Sequence, residues 1–444
     1  MSLEQRQGSF FAPELETAPR EELEQLQDKR FRALLQQVLD TNPFYSRKLR
    51  DAGIPSPVSL DRLSELPFTT KTEIVADQLA HPPFGTNLSF PLASYTRLHQ
   101  TSGTTGVPVR WLDTPETWDS FVKQWCFVYR GAGVLPGDRV FVAFSFGPFV
   151  GFWSGFEGAE KLGCMAITGG GQTTEQRLVA MSQLHPTVLV CTPTYALRLA
   201  EAGRAMQMDP AKLGIRISIH AGEPGAGIPA TRQNIERCWG SKAYDHVGMT
   251  EMGAYGLECQ EQRGPHVNET EFIAEFLDPE TGKPVADGER GEIVLTNLCR
   301  AGSPLIRYRT GDLVEATRKP CGCGRSFALL QGGILGRSDD MITIRGVNVF
   351  PSAIENILRR FPEVVEFQGE VVLEREMHQL VLKVETHGLT LEEQQSLEQK
   401  VIGELHTSLN LRPTLEFAPP GSLPRAEMKS RRFRIPQRTG REHS

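Results

Sequence analysis

The sequence predicts an α/β protein: a large layered α/β N-terminal domain over residues 1–335 and a small α+β C-terminal domain over 342–444, joined through residues 336–341. Three observations carry this expectation. Between about Arg97 and Leu335, short apolar runs alternate with helical stretches, the order that layers strands against helices. Past Gly336 the order becomes strand, helix, strands, helix, strand over roughly a hundred residues, enough for a separate core. A chain of 444 residues, 39% hydrophobic and 23% charged, supplies apolar surface for one large core with a satellite.

From Pro19 an amphipathic helix sets Leu23, Leu26, Phe31, Leu34, Leu35, Val38 and Leu39 on one stripe, a pattern of packing rather than chemistry. Residues 140–144, 187–191 and 215–220 read as buried strands, with helices at 174–184 and 194–206. The uncharged run 140–156 is shorter than the ~20 residues that cross a bilayer, and Gly147, Pro148, Gly151 and Gly155 make it a buried strand, turn and helix start. In the second region, 341–350 reads as a strand and 351–361 as a helix burying Ile354, Ile357, Leu358 and Phe361. Strands at 371–373 and 380–384 follow, then a helix at 391–409 entered through Thr390 and Glu393 as a capping box, and a last strand at 414–417.

The balance of 48 basic against 54 acidic residues gives a net charge of −6, which argues against a surface that coats nucleic acid. The opening MSLEQRQGSF is polar, and eight cysteines in 444 residues are sparse. The expectation is a reducing cytoplasm, in which cysteines are core fillers, nucleophiles or metal ligands.

The sharpest local signal is Thr-Ser-Gly-Thr-Thr-Gly-Val-Pro at 101–108. Glycines such as Gly106 let a backbone bend close to a polyanion, while N–H groups and the hydroxyls of Ser102, Thr104 and Thr105 donate to phosphate oxygens. The Gly-Lys-Ser/Thr ending of a Walker A loop is missing, and alone such a stretch is more often a surface loop.

Its company along the chain is more specific. Ala221-Gly222-Glu223-Pro224, Gly248-Met249-Thr250-Glu251, Tyr308-Arg309-Thr310-Gly311-Asp312-Leu313, Gly336-Arg337-Ser338-Asp339-Asp340, Arg345-Gly346 and Pro424-Arg425-Ala426-Glu427-Met428-Lys429 follow in order. Together these resemble the adenylate-forming superfamily of acyl-CoA synthetases, peptide-synthetase adenylation domains and luciferases. The phenylacetate-CoA ligase branch is the most similar, through Phe-Thr-Thr-Lys at 68–71, Arg-Tyr-Arg-Thr-Gly-Asp-Leu at 307–313 and the run 336–355. The likeness extends from about Asn42 to the end of the sequence.

The resemblance implies an ATP- and Mg²⁺-dependent aryl acid–CoA ligase, which adenylates a phenylacetate-, benzoate- or anthranilate-like acid and then passes the acyl group to CoA. Such chemistry needs positioning and charge stabilisation more than a protein nucleophile. By the resemblance, Ser102, Thr104, Thr105 and Gly106 cradle the triphosphate, Glu251 holds Mg²⁺, and Thr250 donates to the α-phosphate. Asp312 accepts from the ribose hydroxyls, Arg337 steadies the sugar, the backbone of Gly222, Glu223 and Pro224 lies on adenine, and Asp245 also serves the nucleotide. Lys429 neutralises charge on the α-phosphate, residues 336–341 are the hinge that makes the small domain mobile so that it swings about Asp339, and Gly346 then lines the pantetheine channel. For the acid pocket the expected residues are Phe146, Phe149, His220 and Gly248, although aromatic clusters and lone histidines more often belong to a core. The arginines Arg431, Arg432 and Arg434 exceed what one lysine needs, and the alternative for this tail is a solvated basic face.

Cys259 and His266 lie seven apart, and Cys321-Gly322-Cys323-Gly324 comes just before the hinge. Three thiolates and an imidazole suit tetrahedral Zn²⁺, similar positions recur in the phenylacetate-CoA ligase branch, and a closed four-ligand site is structural. Cys126, Cys164, Cys191, Cys238 and Cys299 fall singly and read as core residues.

Two positions depart from the family pattern. Val107 stands where a lysine usually follows the second glycine, unless Arg110 substitutes, and Val247 stands where a tyrosine commonly stacks on adenine. They motivate an alternative, an acyltransferase or an acid–carrier-protein ligase moving an aryl group to a separate acyl carrier protein. A non-catalytic nucleotide- and zinc-binding protein is a further alternative, against which the set Glu251, Asp312 and Lys429 stands. No nucleic-acid or membrane partner is expected, and a homodimer remains open.

Overall fold

The structure, a computed structural model, describes residues 9–101, 108–338, 342–344, 347–374, 377–425 and 432–434. The first two strands, β1 (Arg97–Gln100) and β2 (Arg110–Asp113), form an antiparallel hairpin. Five further strands, β3 (Arg139–Val142), β4 (Met165–Thr168), β5 (Val188–Cys191), β6 (Ile217–His220) and β7 (Lys242–Met249), pair in parallel in the order β4-β3-β5-β6-β7. Every residue of β5 and β6 is buried, which is why they read as short continuous apolar runs rather than as alternating ones.

The sheet then changes character. β7 pairs antiparallel with β8 (Gly253–Glu258), and the ladder continues through β9 (Pro265–Val267), β13 (Leu329–Leu330), β12 (Tyr308–Thr317), β11 (Arg290–Asn297) and β10 (Phe272–Leu277), with β14 (Gly336–Arg337) on β12. Together these make one sheet of twelve strands.

Helices cover the sheet and are punctuated locally. The helix Pro115–Ala132 starts under the side chain of Thr114 and stops at Gly133, whose φ of 86° is the left-handed conformation that glycine adopts without strain. Thr173 and Gln176 cap Thr174–Leu184 reciprocally. The helix Arg20–Thr41 buries Leu23, Phe31, Leu34, Leu35 and Val38 of its expected stripe. One apolar cluster, with Trp125, Phe141 and Trp239, lies about the parallel strands. A second, with Phe31, Tyr45, Tyr255 and Tyr308, serves the antiparallel half.

The C-terminal unit has its own core, including Ile354, Phe367, Leu382 and Val401. Its sheet runs β19 (Thr414–Ala418), β18 (Met377–Thr386), β17 (Val364–Glu374), β20 (Phe433–Arg434). The single strand expected at 341–350 is instead a hairpin of β15 (Ile342–Ile344) and β16 (Val347–Val349). The strand expected at 371–373 is eleven residues long in its pairing with β18, and it reads shorter in sequence because Glu366, buried and paired to Arg359 and Arg432, interrupts the apolar pattern.

The two units meet through polar contacts. Arg432 Nη2 donates to Thr194 Oγ1 at 3.1 Å, Asn234 Nδ2 donates to the Arg359 carbonyl at 3.0 Å, and Arg425 Nε lies 3.7 Å from Glu201 Oε2. No helix among the described residues is long and apolar enough to cross a membrane.

Candidate active site

Several expected residues occupy loops at the C-terminal ends of the parallel strands, the edge where open α/β sheets hold their ligands. Phe146 and Phe149 follow β3, Ala221 to Pro224 follow β6, and Gly248 to Glu251 close β7. Gly222 takes φ of 92°, and Glu223 Oε1 accepts from the Thr194 amide at 2.9 Å, which ties this loop to the start of the helix Pro193–Ala205. Gly248 is exposed where β7 crosses β8; a Cβ there would come within 2.8 Å of the Gly253 carbonyl.

Thr250 and Glu251 form the turn from β7 into β8. Glu251 is 8% exposed, and its Oε1 lies 4.0 Å from Lys71 Nζ, at the first residue of the helix Lys71–Ala80. Lys71 belongs to a motif that the sequence offered without a role. Its ammonium supplies a positive charge beside Glu251, whereas Arg110 donates to the Pro83 carbonyl at 2.9 Å. The turn carbonyls of Thr250 and Glu251 accept from the buried Arg300, a contact that local motif reading missed.

Asp312 and Arg337 are register partners on β12 and β14, with Nη1 3.2 Å from Oδ1. Asp245, in the middle of β7, is wedged between Gly227 and Gly333: a Cβ on either would come 2.8 Å from its Oδ2. Burial, and next the charge of Glu258, pushes its carboxyl up to about 7.

Phe146 and Phe149 are each half-buried. The Phe146 ring meets Trp153 at 4.7 Å and the edge of Phe156 at 5.7 Å, and the missing side chain of Gly170 leaves space for it. His220 is a correction. Its ring is fully buried, Nε2 is 2.9 Å from Ser218 Oγ, and Nδ1 is 3.2 Å from the Cys191 carbonyl. Burial lowers its pKa to about 4, so it is a neutral ring satisfied inside the sheet with no nitrogen left for an acid's ring substituent. Val247 is buried in the second apolar cluster. Ser102, Thr104, Thr105, Gly106, Val107, Asp339, Gly346 and Lys429 lie outside the described residues.

A second constellation lies beyond β8. Cys259, His266, Cys321 and Cys323 are all buried, with donor atoms within 4.8 Å of one another. Cys259 and Cys321 sulfurs are 3.8 Å apart, and Cys323 Sγ is 3.5 Å from His266 Nε2. His266 Nδ1 lies 3.1 Å from the Phe327 carbonyl, a partner that holds the proton on Nδ1 and leaves Nε2 free to bind. Of the five other cysteines, Cys126, Cys164, Cys191 and Cys238 are buried, and Cys299, half-buried, packs against the second apolar cluster with its thiol against Glu271 Oε2.

Comparison with known proteins gives consistent matches. The model of the AMP-binding enzymes covers residues 27–299, and that of the AMP-binding enzyme C-terminal domain covers 346–435. The chain is 35% identical to the phenylacetate-coenzyme A ligase of Thermus thermophilus, over 94% of this chain and 97% of that one. It is 34% identical to the phenylacetate-coenzyme A ligase of Escherichia coli, over 94% and 95%. Among solved structures, a 2-hydroxyisobutyryl-CoA ligase in the postadenylation state with 2-HIB-AMP superposes with a TM-score of 0.92 at 30% identity, covering 97% of this chain and 93% of that chain. The same ligase with 2-HIB-AMP and CoA in the thioesterification state gives 0.73 at 31% identity, over 96% and 92%.

Proposed function

This chain belongs to the AMP-binding enzymes, in their phenylacetate-coenzyme A ligase branch, and from that premise we propose how its residues carry out an AMP-forming acid–thiol ligation. The enzyme uses ATP to turn a carboxylic acid into an acyl-adenylate and pyrophosphate, and CoA then displaces AMP to give the thioester. The observation that carries the residue assignment is the convergence of Thr250, Glu251 and Lys71 at the C-terminal edge of the parallel strands, with Asp312 and Arg337 as a paired unit.

Asp312 accepts from the ribose hydroxyls, and Arg337, fixed against it, holds the same sugar. The Gly222 to Pro224 backbone and Asp245 serve the adenine end. Glu251 is the carboxylate that would hold Mg²⁺, a hard ligand for a hard cation, and bound Mg²⁺ offsets charge on the phosphate oxygens. Thr250 donates to the α-phosphate, with the hydroxyls of Ser102, Thr104 and Thr105 on the remaining phosphates. Lys429 approaches from the small domain and offsets the charge that builds as pyrophosphate leaves. Phe146 and Phe149 wall the acid pocket, which favours a flat aromatic acid of the phenylacetate, benzoate or anthranilate kind.

Zinc fits the cysteine–histidine set. Bonds of roughly 2.3 Å to sulfur and 2.0–2.1 Å to nitrogen in a tetrahedron put donors about 3.5–3.8 Å apart. The sulfur–sulfur and sulfur–nitrogen separations of 3.8 and 3.5 Å support that reading. With four protein ligands the site is structural, closing the β8–β9 turn against the segment between β12 and β13.

A panel of aromatic and aliphatic acids, assayed for pyrophosphate release with mass spectrometry of CoA and carrier-protein thioesters, tests the function. Aryl-CoA products are expected; transfer to a carrier without ATP would replace this reading. Lys429→Ala should abolish pyrophosphate release and spare thioester formation from supplied acyl-adenylate and CoA.

A further inference from the structure

The turn that carries Thr250 and Glu251 is clamped from a single short segment. Arg300 is fully buried and forks onto Asp113, the last residue of β2, with Nε 3.0 Å from Oδ1 and Nη2 2.9 Å from Oδ2. Its remaining nitrogen, Nη1, donates to the carbonyl of Glu251 at 2.5 Å and to that of Thr250 at 3.3 Å. Three residues earlier, Asn297 Nδ2 donates to the Met252 carbonyl at 2.8 Å, while Asn297 Oδ1 accepts from the Arg300 amide at 3.0 Å. Three consecutive carbonyls of the turn are therefore held by one rigid segment. The rings of Trp111 and Phe121 flank the guanidinium at 5.0 and 4.8 Å, so it has little freedom to move.

Stability alone is a poor reason for such a pair. A buried ion pair is often matched or exceeded by well-packed apolar residues, so its worth lies in the orientation it imposes. A guanidinium that spends two N–H groups on a carboxylate keeps others, in the same plane, to fix a neighbouring backbone, which an ammonium cannot do. Fixing the peptide planes on both sides of Glu251 fixes the direction in which its side chain leaves the chain, and so the place of its carboxylate beside Lys71.

We propose that Asp113 and Arg300 are positioning residues for the adenylation half-reaction, setting Glu251 and Thr250 through their backbone carbonyls. The proposal rests on the reading of Glu251 as the Mg²⁺ carboxylate. Neither residue touches substrate; they act through the turn.

The test uses the full chain, with Arg300→Lys, which keeps the charge and loses the fork, and the neutral pair Asp113→Asn with Arg300→Gln. Three quantities are read: the rate of acid-dependent pyrophosphate–ATP exchange, the Mg²⁺ concentration giving half that rate, and thioester formation from supplied acyl-adenylate and CoA. A misplacement near 1 Å costs ~100-fold in rate, so exchange should fall by about that factor while the Mg²⁺ requirement rises. Thioester formation from supplied acyl-adenylate should fall less than about tenfold, since pyrophosphate and its Mg²⁺ have already left and only the contact of Thr250 with the α-phosphate is disturbed. A parallel loss of both half-reactions, or exchange and Mg²⁺ dependence unchanged in either variant, overturns the proposal. Glu251→Gln in the same assays separates the two ideas. If it leaves exchange and Mg²⁺ dependence intact, the reading of Glu251 is wrong; if it impairs them while Arg300→Lys does not, the positioning role alone is wrong.

Discussion

Asp245 holds its proton up to about pH 7 because its carboxyl is buried and Glu258 lies near it. A carboxyl raised in this way favours the protonated, folded form. Its contribution to stability is complete below the ordinary carboxyl range and is lost as pH rises through about 7. Asp245→Asn should therefore raise the melting temperature more at pH 8 than at pH 5 in calorimetric scans; equal shifts at both would count against a buried acid. Residues inside contiguous motifs, such as Glu251, Asp312 and Arg337, are legible because the motif spells out their neighbours. Asp113 and Arg300 are 187 positions apart, so no local pattern joins them. His220 misleads for a related reason: adjacency to the Ala-Gly-Glu-Pro loop says nothing about which way a residue faces when both sides of β6 are covered.

The loop between β12 and β13 draws its order from several sources besides its own backbone. Cys321 and Cys323 reach back to Cys259 and His266, and Arg325 pairs with Glu16 at 2.7 Å, both side chains fully buried. Purified protein should contain about one zinc per chain by elemental analysis, and Cys323→Ser or chelation should lower the melting temperature by roughly 5–10 °C. Metal-free protein with an unchanged melting temperature would remove zinc from the description. Elements with strong local chemistry were legible in sequence, including the capping box of Thr390 and Glu393, which forms as expected. The antiparallel strands from β8 onward were not, since their register depends on partners far along the chain, and neither was the full length of β17, where a buried charge network stands in for apolar alternation.

As a whole the molecule superposes far better on a relative's postadenylation arrangement than on its thioesterification arrangement, with TM-scores of 0.92 and 0.73. The contacts made by Thr194 and Asn234 with the small domain belong to this arrangement. Removing both hydrogen bonds, in Thr194→Val with Asn234→Ala, should shift the domain balance by roughly 30-fold at ~1 kcal/mol each. The expected readout is slower pyrophosphate exchange with thioester formation from supplied acyl-adenylate maintained; an unchanged ratio of the two would show the contacts to be incidental. The sheet itself offers no such freedom. β7 is a parallel partner on one side and an antiparallel partner on the other, so it is common to both apolar clusters. The turn bearing Glu251 grows from that shared strand. Unfolding of either half of the large domain therefore disturbs the turn, so as denaturant rises activity should be lost no later than the twelve-stranded sheet itself.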